Sequence, residues 1–195
     1  MALLESCTGL TKSFGSRLLF ENIALGISDG ERLGLIGRNG AGKSTLLRLL
    51  AGQIEPDAGS ISMRRNTRTG YVPQDAEFPE GGTVLEIVTA AIAGEHLDDL
   101  DRAARINQTL GRAGFTDSSL RTEALSGGWK RRLAIAREIA QSPDVLFLDE
   151  PTNHLDFEGI QWLEKLLSTA AFASVVVSHD RYFLDTVVND VAELD

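Results

Sequence analysis

Gly37-Arg-Asn-Gly-Ala-Gly-Lys-Ser-Thr45 is the stretch on which the fold turns. It places Gly37, four free positions and then Gly42-Lys43-Ser44, which is the G-x-x-x-x-G-K-[ST] spacing of a loop that cradles phosphate groups. Both flanks agree with that reading. Glu31-Arg-Leu-Gly-Leu-Ile36 is a short apolar run that predicts a strand entering the loop, and Ser44 to Leu50 predicts a helix leaving it. Leu46, Leu47 and Leu50 share one helical face, and Gly52 is placed to stop the helix. Glycines let the backbone curl until successive N–H groups point inward, and the helix N-terminus adds its positive end. Gly37, Arg38, Asn39, Gly40, Ala41, Gly42, Lys43, Ser44 and Thr45 are therefore the candidate phosphate-binding segment. Lys43 can reach β- and γ-phosphates, and the Ser44 hydroxyl suits Mg2+.

Further along, Val145-Leu-Phe-Leu148 is a continuous apolar run, as expected of a strand covered on both faces in a parallel sheet, and it ends in Asp149-Glu150. Two adjacent acids there are costly to hold unless a cation binds. Ser174-Val-Val-Val177 repeats the arrangement and ends in Ser178-His179-Asp180; helices are predicted over Phe157–Ser168 and Arg181–Val188. Three strands thus deliver polar groups at their carboxyl ends, the edge along which open α/β sheets bind ligands. Tyr71-Val-Pro-Gln74 ends another short strand, although Gln74 alone carries no signal. Leu125-Ser-Gly-Gly-Trp129 opens a helix running to about Gln141, with Leu133, Ala136, Ile139 and Ala140 as its apolar stripe. Ser126 is a good N-cap, and Gly127 and Gly128 leave N–H groups open to an anion; by itself this is also an ordinary capped helix start.

Toward the N-terminus, Leu3–Leu10, Arg17–Ile27 and Glu31–Ile36 are β-rich, and Ser60–Met63 resumes a strand. Phe14, just past the first strand, reads equally as a base-stacking aromatic and as a partly buried loop side chain. Within residues 83–114, Thr83 to Ala93 and Leu97 to Leu110 carry helical spacing, with Val84, Ile87, Val88 and Ala91 and then Leu97, Leu100 and Ala104 as stripes, and predict a small helical subdomain. The 43% hydrophobic and 24% charged composition is that of a globular protein, and no apolar run approaches the length of a membrane span. A formal charge of −9 argues against a general nucleic-acid binder. Lys130-Arg131-Arg132 with Arg137 reads as a solvated helix face. Cys7 stands alone, which excludes an internal disulfide and fits a reducing cytoplasm.

From Phe14 to Asp185 the chain resembles a nucleotide-binding domain of the ATP-binding-cassette superfamily. Gly37–Thr45 matches its Walker A motif and Val145–Glu150 its Walker B motif with the glutamate that follows. Leu125-Ser-Gly-Gly-Trp129 matches the family signature, whose last residue is usually Gln. Gln74 falls at the Q-loop, Phe14 at the adenine-stacking aromatic and His179 at the switch histidine. Asp149-Glu-Pro-Thr-Asn-His-Leu-Asp156, Ser178-His-Asp-Arg-Tyr-Phe-Leu184 and Trp129 are similar to the ABC-F subfamily, and to the first domain of its Uup-like branch. The implied fold is α/β: a P-loop NTPase with a mainly parallel core sheet, an N-terminal antiparallel β subdomain and a small helical subdomain over about residues 75–141.

The resemblance implies Mg2+-dependent ATP hydrolysis. Lys43 and the loop amides would hold phosphates, and Ser44, Asp149 and Gln74 would serve the metal. Glu150 would activate water, His179 would contact the γ-phosphate and Phe14 would stack on adenine. Ser126, Gly127 and Gly128 would complete the site of a facing cassette in a head-to-tail pair, and Asp156 lies in the loop coupling the two sites. ABC-F proteins carry two cassettes in one chain, have no membrane part and are associated with the ribosome. Residues 1–195 hold one cassette, so an excised first domain is expected, pairing with a second cassette or a copy of itself, with the ribosome as partner of the full-length protein. About fifty residues separate Gln74 from Ser126, little room for the helical arm many ABC-F first domains insert there. The alternative is the ATP-hydrolysing subunit of a membrane transporter, from which the Asn153-His154 and Asp180-Arg181-Tyr182 wording tilts the reading away. Against a third class, a non-hydrolysing clamp, stand Glu150 and His179 together.

Overall fold

The computed structural model describes residues 2–194; Met1 and Asp195 lie outside the described residues. The elements in order are β1 (Leu3–Phe14), β2 (Arg17–Ser28), β3 (Arg32–Gly37), α1 (Lys43–Leu50), β4 (Ala58–Met63), β5 (Thr69–Val72), α2 (Val84–Ala91), α3 (Asp99–Ala113), α4 (Gly127–Ala140), β6 (Val145–Asp149), α5 (Phe157–Ser168), β7 (Ala173–Val177), α6 (Arg181–Val187) and β8 (Asp190–Leu194). A parallel sheet runs β5-β6-β7-β3-β8, and an antiparallel one runs β2-β1-β4. This is the expected α/β arrangement. In the parallel sheet Val72 pairs with Leu148, Asp149 with Val177 and Leu35 with Val177, so β5, β6, β7 and β3 end at one edge.

Burial explains why β6 and β7 are unbroken apolar runs. All five residues of each are buried, with Val145, Phe147, Val175 and Val177 on one face and Leu146, Leu148 and Val176 on the other. The first face packs on Leu46, Leu47, Leu49 and Leu50 of α1, whose far side meets Leu4, Leu10, Phe20 and Ile27 of the antiparallel sheet. Each fully buried leucine contributes about 1.5–3 kcal/mol, which makes α1 the spine between the two sheets. The second face is covered by α5, α6 and Ala134 and Ile135 of α4. Leu133, Ala136 and Ala140 of the same helix face a separate cluster with α2 and α3, so α4 belongs to two cores.

Several expectations need correction. β1 runs through Phe14 instead of stopping at Leu10, because it pairs with β2 down to the Phe14–Arg17 position. The third helix spans Asp99–Ala113, not Leu97–Leu110, since Asp98 caps it by accepting from the Asp101 N–H. Its inward face is Ile106, Thr109, Leu110 and Ala113; Leu100 is 79% exposed and Ala104 is also open, so that stripe was misplaced by part of a turn. The first helix starts at Lys43, one residue before the expected Ser44, whereas the fourth starts at Gly127, directly after its expected cap Ser126. The basic run is not uniformly solvated: Arg131 is 3% exposed.

A register shift between Leu3 and Glu5 turns both Leu4 and Glu5 inward, and neither carboxylate oxygen of Glu5 has a hydrogen-bond partner. Burial pushes the Glu5 carboxyl up from 4.5 to about 8. The folded chain therefore holds a proton that the unfolded chain releases. Stability is complete below about pH 4.5 and falls as pH rises through 8, by about 3–5 kcal/mol in total. Glu5→Gln should flatten that decline in urea unfolding between about pH 5 and pH 9. An equal decline in wild type and variant would refute this origin.

Candidate functional site

The loop between β3 and α1 is held from three sides. Gly42 caps α1 with φ 101°, and a Cβ there would lie 2.9 Å from the Phe20 ring, so the turn admits only glycine. Lys43, 7% exposed, donates from Nζ to the Gly37 oxygen at 2.9 Å and the Arg38 oxygen at 3.1 Å. Arg17, which the sequence reading passed over, donates to the Gly40 oxygen at 3.4 Å. The Phe14–Arg17 pair thereby ties the β1–β2 hairpin to the loop, with Phe14 55% exposed at the end of β1. Lys12 Nζ stands 5.8 Å from the same ring.

Ser44 and Asp149, 105 residues apart, meet through a Ser44 Oγ to Asp149 Oδ1 hydrogen bond of 3.0 Å. The Tyr71 hydroxyl donates to the other oxygen, Oδ2, at 3.4 Å. Burial pushes the Asp149 carboxyl above its ordinary value, and the bonds from Ser44 and Tyr71 pull it back. Tyr71 is pushed up to about 12, first by burial and then by the Asp149 charge, so it stays a donor. The donors gathered here are a hydroxyl and carboxylates, the hard oxygens that suit Mg2+. Among the described residues no group of three or more His, Cys, Asp or Glu side chains could enclose a metal. A cation held here would take its remaining ligands from phosphate and water, as Mg2+ usually does.

Glu150 follows with its backbone in the left-handed region, φ 46°, held there by its N–H donating to the Val177 oxygen at 2.8 Å. A non-glycine residue so placed carries about 1–3 kcal/mol of strain, a cost that clusters at functional sites. Its Oε1 stands 3.3 Å from His179 Nε2, and its Oε2 accepts the His179 N–H at 3.3 Å. Burial raises the Glu150 carboxyl and His179 lowers it in part. Lys43, Ser44, Asp149, Glu150 and His179 therefore stand along one sheet edge. Gln74 emerges at that edge after β5 and is exposed, and its backbone carbonyl, with that of Pro73, accepts from the guanidinium of Arg131. Helical spacing could have revealed Arg131: it precedes the buried Ala134 by three residues and Ile135 by four.

Ser126, Gly127 and Gly128 lie at the start of α4. Ser126 caps α4 by accepting the Trp129 N–H at 3.5 Å, and Ser126 and Gly127 are exposed. A Cβ on Gly128 would lie 2.9 Å from the His154 oxygen, so the pair is pressed against the loop that follows β6. Trp129, at the unusual last position, packs on Phe115 with centroids 5.0 Å apart. The Arg132 guanidinium stands 4.9 Å from both the Trp129 and Trp162 rings. A groove of about 830 Å³ lies elsewhere, between Pro143, Trp162, Lys165 and Phe172, and is lined by none of Lys43, Ser44, Asp149, Glu150 and His179.

The family model described as "ABC transporter" matches residues 20–153, more than half of the chain. The uncharacterized ABC transporter ATP-binding protein YfmR of Bacillus subtilis is 36% identical over 100% of this chain and 36% of its own length. The ATP-binding protein Uup of Caulobacter vibrioides is 42% identical over 89% of this chain and 27% of its own length. The energy-dependent translational throttle protein EttA of Escherichia coli is 35% identical over 92% and 39%. The chain thus spans roughly a third of these relatives. Among solved structures, the post-hydrolysis dimer of the ATP-binding cassette MJ0796 bound to ADP and Pi superposes with TM-score 0.85 at 25% identity, covering 98% of this chain and 94% of that one. A phosphate loop facing a buried aspartate and a glutamate–histidine pair across one parallel sheet edge, together with this match, means that the chain belongs to the ABC transporter family of ATP-binding cassettes.

Proposed function

We propose that this chain is the ATPase cassette of an ABC-F-type protein, which pairs head-to-tail with a second cassette and drives a conformational cycle on the ribosome. The observation that carries the chemical part is the 3.0 Å Ser44–Asp149 hydrogen bond, which joins the phosphate loop to the acidic strand end. Lys43 and the loop N–H groups hold the β- and γ-phosphates. Ser44 and Asp149, with Gln74 nearby, are the groups that would hold Mg2+, which when bound neutralises phosphate charge. Glu150 accepts a proton from the attacking water as its oxygen bonds to the γ-phosphorus. The bond from that phosphorus to the bridging oxygen breaks, and ADP leaves with the electron pair. His179 steadies Glu150 and faces the γ-phosphate; Phe14 stacks on adenine. Positioning and charge neutralisation supply most of the acceleration in such transfers.

Ser126 and Gly127, exposed at a helix N-terminus, and the half-buried Gly128 serve the facing cassette's nucleotide. The chain alone is therefore expected to bind ATP and to hydrolyse it slowly, with specific activity rising with protein concentration. Rapid turnover at a concentration-independent specific activity would overturn the pairing.

For the biological setting, the translational throttle protein EttA among the relatives, and the Asn153-His154, Asp180-Arg181-Tyr182 and Trp129 wording, support the translation reading, with which a cytoplasmic location goes. No helix among the described residues is long and apolar enough to cross a membrane. The transporter reading draws on YfmR's printed name and on an inward-facing putative metal-chelate type ABC transporter, 27% identical with TM-score 0.85 over 99% of this chain and 80% of that one. Co-sedimentation of the full-length protein with ribosomes in ATP but not in ADP supports the first; no sedimentation in either nucleotide removes it.

A further inference from the structure

Arg131 joins two places that the mechanism treats separately. It lies on α4 five residues after Ser126, about 7.5 Å along the helix at 1.5 Å per residue. It is 3% exposed, and its two terminal nitrogens donate to the consecutive backbone oxygens of Pro73 and Gln74. Those carbonyls have just left β5, which ends at Val72, and Pro73 has no N–H with which to anchor the segment. The guanidinium fork replaces the sheet ladder for this turn. Burial works against its charge, and the negative charges of Asp75, Asp149 and Glu150 offset that in part. α4 packs on two cores at once, through Leu133, Ala136 and Ala140 on one side and Ala134 and Ile135 on the other.

We infer that Arg131 is a positioning residue that couples the Ser126–Gly128 end of α4 to Gln74, so that engagement of a facing nucleotide by this helix sets Gln74 in the chain's own site. The inference rests on the cassette reading above. A lysine at this position keeps the charge but cannot span two carbonyls in one plane.

The test compares wild type with Arg131→Lys, Arg131→Met, Gln74→Ala and the double variants, measuring thermal midpoint, fluorescent-ATP affinity, KM and kcat with Mg2+. Arg131→Lys should stay folded and bind nucleotide within about threefold of wild type, while kcat falls about tenfold or more. Adding Gln74→Ala should cost less than about twofold more, because both changes disable the same element. A kcat within about twofold of wild type, or losses that multiply, would overturn the inference; a general packing defect would lower the midpoint and give multiplying losses. If Arg131→Met fails to fold, Arg131→Lys decides. Wild type that neither binds nor hydrolyses ATP would sink the cassette reading itself, whereas an active wild type matched by Arg131→Lys would sink this inference alone.

Discussion

Replacing Glu150 by Gln is expected to lower ATP hydrolysis by about 10²–10³-fold while nucleotide binding stays within a few-fold of wild type. The amide has the same shape and its oxygen can still accept the His179 N–H, so the turn at φ 46° keeps its hydrogen bond. What disappears is the proton acceptor. Burial has already raised this carboxyl above its ordinary value, which strengthens it as a base and narrows the pH range in which it is ionised. Wild-type activity should therefore fall on the acid side at a pH above the usual carboxylate range, as Glu150 takes up a proton. In the variant the residual rate should lose that acid limb. Single-turnover hydrolysis across pH, beside fluorescent-ATP titration, reads both effects. If the cassettes are joined by ATP, the variant should also persist as a pair in saturating Mg-ATP; hydrolysis near the wild-type rate would remove Glu150 from the chemistry.

The opposite pattern is expected of Lys43→Ala, with nucleotide affinity itself falling by about 10²-fold. A charge-assisted hydrogen bond is worth about 1.5–3 kcal/mol, and this ammonium is buried at 7% exposure, where solvent replaces it poorly. The same substitution frees the Gly37 and Arg38 oxygens that Nζ now ties down, so the loop loses order as well as charge. Fluorescent-ATP titration gives the number directly. A change in Kd below about threefold would mean that the loop amides suffice and that Lys43 is structural. Taken together, the two variants separate holding the triphosphate from cleaving it.

Much of this site was legible in the chain because it is local. The loop from Gly37 to Thr45, the acids ending the β6 run and the histidine ending β7 each sit where a strand runs out, and each is specified by a few consecutive residues. Parallel pairing then brings those ends together without further instruction. Illegible were the contacts that depend on what lies across a gap. Tyr71 looked like any strand aromatic until β5 paired with β6 and put its hydroxyl on Asp149. Arg17 gains its meaning only from the hairpin's approach to Gly40. Helix faces suffered in the same way: Leu100 and Ala104 satisfied the helical period, yet α3 turned Ile106 and Leu110 inward instead.

Sequence alone determined the α/β class, the phosphate loop and the polar strand ends, since backbone conformation and side-chain period are properties of short segments. Tertiary structure alone decided that Arg131 grips the Gln74 turn, that a register shift buries Glu5 without a partner, and that Gly128 is pressed against the His154 loop. Those outcomes depend on how separate elements pack and twist against each other, and desolvation acts on a charged group only once its neighbours have closed around it.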